Sequence, residues 1–74
     1  MRRSEFQRAV EHEFGRRGDS LVADLTLTAL GHRTAAEALD AGEPARDVWL
    51  ALCAQTDVPH ERRHGVGRLE SRRN

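Results

Sequence analysis

A run of twenty residues, from Thr34 to Cys53, restricts the fold of this chain more than any other segment, because it contains two helix starts and one helix stop. Thr34 followed three residues later by Glu37 is the pattern of a capping box, in which each residue bonds the other's free backbone N–H. Strong helix formers follow, and Gly42 predicts the end of the helix, since glycine adopts the left-handed conformation cheaply. The pattern predicts a short helix over Ala35–Ala41.

A second helix is predicted immediately after Gly42. Pro44 suits a first helical position, where the missing N–H removes no hydrogen bond. Apolar residues then recur at the spacing of one helix face, at Val48, Trp49, Leu52 and Cys53. The run is therefore interpreted as a helical hairpin with a very short connection, in which Cys53 is a buried small hydrophobic residue rather than a catalytic thiol.

Two further helices are predicted ahead of this hairpin. Ser4 is expected to cap the first, Gly15 to end it, and its apolar stripe consists of Phe6, Val10 and Phe14. Asp19 or Ser20 is expected to cap the second, Gly31 to end it, and its stripe consists of Leu21, Val22, Leu25 and Ala29. No alternating strand pattern is present. The predicted fold is all-α: a compact domain of three main helices plus one short helix, with a disordered C-terminal tail.

The net charge of zero divides unevenly along the 74 residues. Residues 1–59 contain seven Arg and ten acidic residues, a net charge of −3, whereas residues 60–74 contain five Arg and two acidic residues, a net charge of +3. The second segment has only Val66 and Leu69 as large apolar residues, too few to offset the entropy of ordering it. Residues 1–59 are therefore predicted to be the domain and residues 60–74 a tail whose removal leaves the thermal midpoint nearly unchanged.

The predicted cellular location of the protein follows from the absence of certain sequence features. The longest apolar run, Val48–Ala54, is far shorter than the ~20 residues that span a bilayer, and the charged N-terminus lacks the apolar region of a signal peptide. The single cysteine excludes an internal disulfide. A cytoplasmic protein with no membrane contact is predicted.

The tail contains the one motif that resembles catalytic chemistry, His60-Glu61-Arg62-Arg63-His64. This is the H-E-x-x-H pattern of zinc proteases, and Glu70 lies where longer versions place a third ligand. The motif requires a helix beside a substrate-binding sheet, which no upstream strand supplies, and two Arg side chains disfavour a bound cation. The chain is predicted not to be an enzyme and to hold no cofactor. Weak zinc binding by His60, His64 and Glu70 is a remote alternative.

Two features favour DNA binding as the alternative function. Ala38, Gly42 and Val48 have the spacing of the small residue, turn glycine and packing residue of a helix-turn-helix. Five tail residues could contact phosphates without sequence preference, namely Arg62, Arg63, Arg68, Arg72 and Arg73. Against duplex recognition, residues 1–59 are net acidic, and Arg46 is followed directly by Asp47.

The main prediction is an interaction surface. Leu27 and Leu50 lie off the main stripes of their predicted helices, so each is either core or a surface for a partner. The chain is predicted to be a non-catalytic interaction or accessory module that binds another protein, as a monomer or weak homodimer.

Three segments resemble a family of short actinobacterial proteins, the domain of unknown function 3046. They are the opening M-R-x-S-E-F, the L-G-x-R-T junction at Leu30–Thr34, and the A-L-x-x-G…P-x-x-V-W-x-A-L-C run of the hairpin. The Asp57-Val58-Pro59 ending is similar too, and the resemblance covers about residues 1–60. Gln7 replaces an expected aromatic residue and His32 an expected glycine. The resemblance implies a compact helical fold, no known catalytic residues, and genes that often lie near a recombinase gene, hence a link to DNA recombination or repair.

Overall fold

The computed structural model of the chain describes residues 1–63. Its α-helices are α1 (Arg3–Phe14), α2 (Gly18–Asp24), α3 (Ala35–Asp40) and α4 (Ala45–Gln55). Two short strands, β1 (Thr26–Leu27) and β2 (Arg33–Thr34), pair antiparallel, and 3-10 helices lie at Gly15–Arg17, Thr28–Leu30 and His60–Arg62. The predicted helical domain is confirmed in its main character, but the fold is not strictly all-α, because β1 and β2 form a small hairpin.

The first helix has the predicted apolar face but a different start. Its N-cap is Arg2, whose backbone N–H donates to the Glu5 carboxylate over 2.6 Å, and this hydrogen bond lowers the pKa of Glu5. Ser4 lies inside the helix, so its predicted role as the cap is wrong. Gly15 ends α1 with φ +58°, as predicted.

The second helix is shorter than predicted. It begins at Gly18 with Arg17 as its N-cap, so the predicted caps Asp19 and Ser20 are both wrong, and its last residue is Asp24. The chain then becomes extended, and Leu27 enters the core between two exposed threonines. The predicted continuation to Gly31 is wrong because Leu27 is buried through a strand, whose side chains alternate between faces.

The hairpin of α3 and α4 is confirmed. The Thr34 hydroxyl accepts from the Glu37 N–H over 3.1 Å, while the Glu37 carboxylate accepts from the Thr34 N–H over 2.9 Å. Gly42, with φ +93°, follows α3, and the N–H of Glu43 donates to the carbonyl of Ala38 over 3.0 Å. This is a Schellman ending. Pro44 is the N-cap of α4 rather than its first residue.

The end of α4 turns the chain back toward the core. Asp57 has φ +60°, and the N–H of Val58 donates to the carbonyl of Cys53 over 2.9 Å. This is a second Schellman ending, and its characteristic apolar contact is made by Val58, which is buried.

The core is centred on Trp49 of α4. Its ring makes T-shaped contacts with Phe6 and Phe14 of α1, each with ring centroids 6.3 Å apart. The remaining large buried side chains are Leu27, Leu52, Val10, Val48 and Cys53. Because α1 and α3 pack against the apolar stripe of α4, the opposite side of α4 is left exposed.

Candidate functional site

The exposed side of α4 is the candidate site. Its residues are Arg46, Asp47, Leu50 and Ala54, which are all exposed and are called the outer face of α4 below. Arg46, Leu50 and Ala54 are four residues apart, so they share one side of the helix. Leu50 is 37 % exposed, although the other large apolar side chains of α4 are buried. The outer face is thus a small apolar centre beside one positive and one negative charge.

Leu27, the other predicted interaction residue, is part of the core. It lies in β1 with no exposed surface. The following N–H, that of Thr28, donates to the side-chain oxygen of Gln55 over 3.1 Å, which ties β1 to the end of α4. The assignment of Leu27 to a partner surface is therefore wrong, because the strand turns its side chain inward.

The first residues of the predicted tail contact the helical domain. The guanidinium of Arg62 lies 2.9 Å from the carboxylate of Glu13, and Nε of Arg63 donates to the carbonyl of Val58 over 2.6 Å. The indole N–H of Trp49 donates to the carbonyl of Arg63. Contacts with the domain thus continue past the predicted boundary at residue 59, because the core tryptophan needs an acceptor that Arg63 supplies.

The remaining tail candidates, His64, Arg68, Glu70, Arg72 and Arg73, lie outside the described residues. His60 is exposed and begins a 3-10 helix rather than the α-helix that H-E-x-x-H zinc sites use. Among residues 1–63, no group of three or more His, Cys, Asp or Glu side chains is placed to hold a metal ion. Zinc binding by the tail stays an untested remote alternative.

Cys53 occupies the predicted core position and is fully buried. Burial raises the pKa of its thiol to about 11, although the charge of Arg63 acts in the opposite direction. The thiolate is the nucleophilic form of cysteine. At neutral pH this thiol is therefore protonated and shielded from solvent.

One ion pair beside the hairpin was not predicted. The guanidinium of Arg33 lies 2.7 Å from the carboxylate of Glu43, and Nε of Arg33 donates to the carbonyl of Leu30 over 2.9 Å. The pair joins β2 to the turn between α3 and α4. Arg33 and Glu43 belong to different elements with α3 between them, so only the fold brings the two charges together.

Within residues 1–63, no helix has the length and apolar content needed to cross a membrane.

Comparison with known proteins gives one result. Neither the curated proteins nor the solved structures contain a match to this chain. A family model described as "Protein of unknown function (DUF3046)" matches residues 1–61, which include all of α1 to α4. The chain therefore belongs to this family of proteins of unknown function.

Proposed function

We propose that this chain is a small non-catalytic interaction module, and that a partner protein contacts the outer face of α4. The observation that supports this proposal is the exposure of Leu50 on a helix whose other large apolar residues are buried. Interfaces commonly place an apolar residue at the centre of a polar rim. Arg46 and Asp47 supply such a rim on the preceding turn.

The size of this surface argues for a transient complex. Covering the exposed part of one leucine contributes on the order of 1 kcal/mol. Most of the affinity must therefore come from shape and polar contacts made around Leu50. We expect weak, exchangeable binding rather than an obligate assembly, and the partner to supply a shallow apolar pocket.

Within residues 1–63, the two ionisable groups with shifted pKa values are compatible with a role without catalysis. Perturbed pKa values often mark active sites, but Glu5 and Cys53 each have a structural explanation. Glu5 has a lowered pKa because it accepts the N-cap hydrogen bond of α1. The pKa of Cys53 is raised because the thiol is buried in the core. Neither shift prepares a group for attack on a substrate.

The family resemblance extends the proposal to a biological setting. The resemblance implies that genes of such proteins often lie near a recombinase gene, so we propose a cytoplasmic partner involved in DNA recombination or repair. A buried, reduced thiol at Cys53 is compatible with that compartment.

DNA binding is the second candidate, and the geometry of α3 and α4 favours it. Ala38 and Val48 are fully buried and Gly42 has a positive φ, as in a helix-turn-helix. Against it, Arg46 and Asp47 are consecutive exposed residues of the outer face of α4, so the charge of that face sums to zero. Fluorescence anisotropy with duplex DNA over a salt series distinguishes the two candidates, because phosphate contacts give strongly salt-dependent binding. We expect no such dependence.

Site-specific photo-crosslinking in the native cell tests the proposed surface. A photoreactive amino acid at position 50 should give a discrete adduct with one protein, whereas the same group at Arg8, exposed on α1, should not. Unlabelled protein should compete for the adduct, and the Leu50→Ser variant should not. Equal adducts from both positions, or none from position 50, would contradict the proposal.

Thermal melts of variants at two neighbouring positions test whether Leu50 lies on the surface rather than in the core. Trp49→Ala removes a ring that is 1 % exposed and should cost about 3–5 kcal/mol. Leu50→Ser should change stability by no more than about 0.5 kcal/mol, as is typical of surface substitutions. Comparable unfolding of both variants would place Leu50 in the core and remove the candidate surface.

A further inference from the structure

A second surface lies on α2, made of residues different from those of the outer face of α4. It is an open groove of about 490 Å³, lined by Arg16, Arg17, Ser20, Leu21, Asp24 and Leu25. The lining is mainly apolar and includes Leu21 and Leu25, which are together called its apolar floor below. Both leucines are only partly buried and pack against the core.

The positive and negative residues of this groove lie at opposite ends of the segment that forms it. Arg16 and Arg17 are exposed at the start of the segment, and Asp24 is exposed at its end. Ion pairs within residues 1–63 involve Arg3, Arg33 and Arg62, so the two groove arginines form none with the described residues. The groove therefore presents two guanidinium groups beside an apolar floor.

We infer that this groove binds an acidic amphipathic helix of a partner protein. Leu21 and Leu25 are one helical turn apart, so their floor matches apolar side chains that are one turn apart on the partner. Carboxylates in the partner's adjoining turn would pair with Arg16 and Arg17, for which arginine geometry is well suited. Asp24 repels an acidic residue at the other end and so fixes the direction of the bound helix.

The open shape of the groove favours a peptide over a small molecule. Sites for small ligands enclose most of the ligand surface, whereas this groove is largely open to solvent. The seven residues of α2 extend about 10 Å. That length corresponds to about two turns of a docked helix, which is enough for the apolar pair and one acidic turn.

Nuclear magnetic resonance titration of the 74-residue chain tests the inference. The probe is a synthetic helical peptide with leucines one turn apart and glutamates in its first turn. Control peptides have arginine in place of glutamate, or the same composition in scrambled order. We expect saturable shifts of backbone amides over residues 15–25, with affinity for the arginine peptide weaker by about tenfold or more.

Protein variants separate this site from other exposed charges. Arg16→Glu combined with Arg17→Glu should weaken binding of the acidic peptide about tenfold or more. Arg8→Glu, at an exposed position of α1, should have little effect, and amide dispersion verifies that each variant is folded. Leu50→Ser should leave binding unchanged, so failure here is distinguishable from failure of the proposed function.

Three outcomes would overturn the inference. The first is equal affinity for the acidic and arginine peptides, and the second is absence of saturable shifts up to about 1 mM peptide. The third is a set of groove shifts that appears with rising protein concentration and no peptide, which would assign the groove to a second copy of the chain.

Discussion

Among the single residues, Gly18 is required because its position has no room for a side chain, and not because of its backbone conformation. Its φ is −56°, which suits any residue in a helix. A Cβ at this position would lie 2.6 Å from Cγ1 of Val10, closer than two carbon atoms can approach. Gly42 differs, since it has open space around it but a φ of +93°. The start of α2 therefore touches α1 only because residue 18 has no side chain.

Gly18→Ala should destabilise the domain by about 1–2 kcal/mol. The overpacking cost of about 1–3 kcal/mol exceeds the gain in helix propensity, which is at most about 1 kcal/mol. In the Val10→Ala background the same substitution should be neutral or stabilising, because the clashing methyl group is gone. Chemical denaturation of the four proteins measures this coupling.

Gly42→Ala is the matched control for that cycle. It should destabilise the domain equally in both backgrounds, because its cost comes from the positive φ and not from Val10. A Gly18→Ala cost that is equally independent of Val10 would contradict the steric explanation.

Cys53 should make stability depend on pH in a narrow alkaline window. Burial raises the pKa of the folded thiol from 9.0 to about 11. Well below pH 9 both states hold the proton and stability is full. Between pH 9 and 11 the unfolded state loses the proton first, so the free energy of unfolding falls as pH rises. The sequence contains no Lys and no Tyr, so no other side chain titrates mainly in this window.

Chemical denaturation below and within that window measures the effect, with Cys53→Ala as the control. The alanine variant is less stable overall, but its stability should be nearly flat between pH 9 and 11. A decline of the same slope in both proteins would show that the thiol is not its cause.

At the scale of the elements, local chemistry explains which predictions succeeded. The hairpin of α3 and α4 was predictable because its determinants are neighbours in sequence: a capping box at Thr34, a turn glycine at Gly42 and a helix start at Pro44. The stripe from Leu21 to Ala29 was misleading, because tertiary packing required Leu27 inside. The alternation of Thr26, Leu27 and Thr28 was the sequence signal for the strand.

The turn between β1 and β2 places His32 in a backbone conformation that glycine adopts more easily. It follows Gly31, and both residues have positive φ, +69° for Gly31 and +64° for His32. Glycine adopts this conformation without a Cβ penalty, and glycine is the residue that the family resemblance implied at position 32. The chain thus completes the turn with a residue that disfavours it, and the antiparallel pairing of β1 with β2 holds it there.

The ion pair between Arg33 and Glu43 should contribute about 0.2–1 kcal/mol to stability, the range measured for solvent-accessible pairs. Both side chains are about one-third exposed, so solvent screens the pair in part. Arg33→Met, Glu43→Gln and the double variant form the thermodynamic cycle, and melts at low and high salt measure its screening. Coupling near zero at low salt would show that the pair only occupies the turn without stabilising it.

At the scale of the whole molecule, Trp49 joins parts of the chain that are distant in sequence. Its ring contacts Phe6 and Phe14, and its N–H bonds to the carbonyl of Arg63. The position of Leu50 off the apolar stripe of α4 left core and surface open as alternatives, and the structure has the residue exposed. The groove on α2 could not be predicted, since it depends on where that helix begins and ends. The contacts of Arg62 and Arg63 with the domain could not be predicted either, because these two residues are not part of an apolar pattern.

The contacts of Arg62 and Arg63 replace the expectation from the sequence that removing residues 60–74 leaves the thermal midpoint nearly unchanged. Truncation should instead divide the C-terminal segment into two parts with different effects. A chain ending at Pro59 loses the acceptor for the Trp49 N–H, and an unsatisfied buried donor costs about 1–3 kcal/mol. It also loses the ion pair between Arg62 and Glu13. The thermal midpoint should fall by roughly 5 °C or more in a domain of this size. A chain ending at Gly65 keeps these groups and should melt near the 74-residue chain.

Trp49→Phe tests whether the indole is the reason for that loss. Phenylalanine retains an aromatic ring but has no N–H donor, so the variant no longer needs the carbonyl of Arg63. Truncation at Pro59 should then cost less in the Trp49→Phe background than in the wild type, since the two changes remove the same hydrogen bond. Fully additive losses, measured by thermal melts of the four proteins, would mean that residues 60–63 stabilise the domain by contacts other than the one with Trp49.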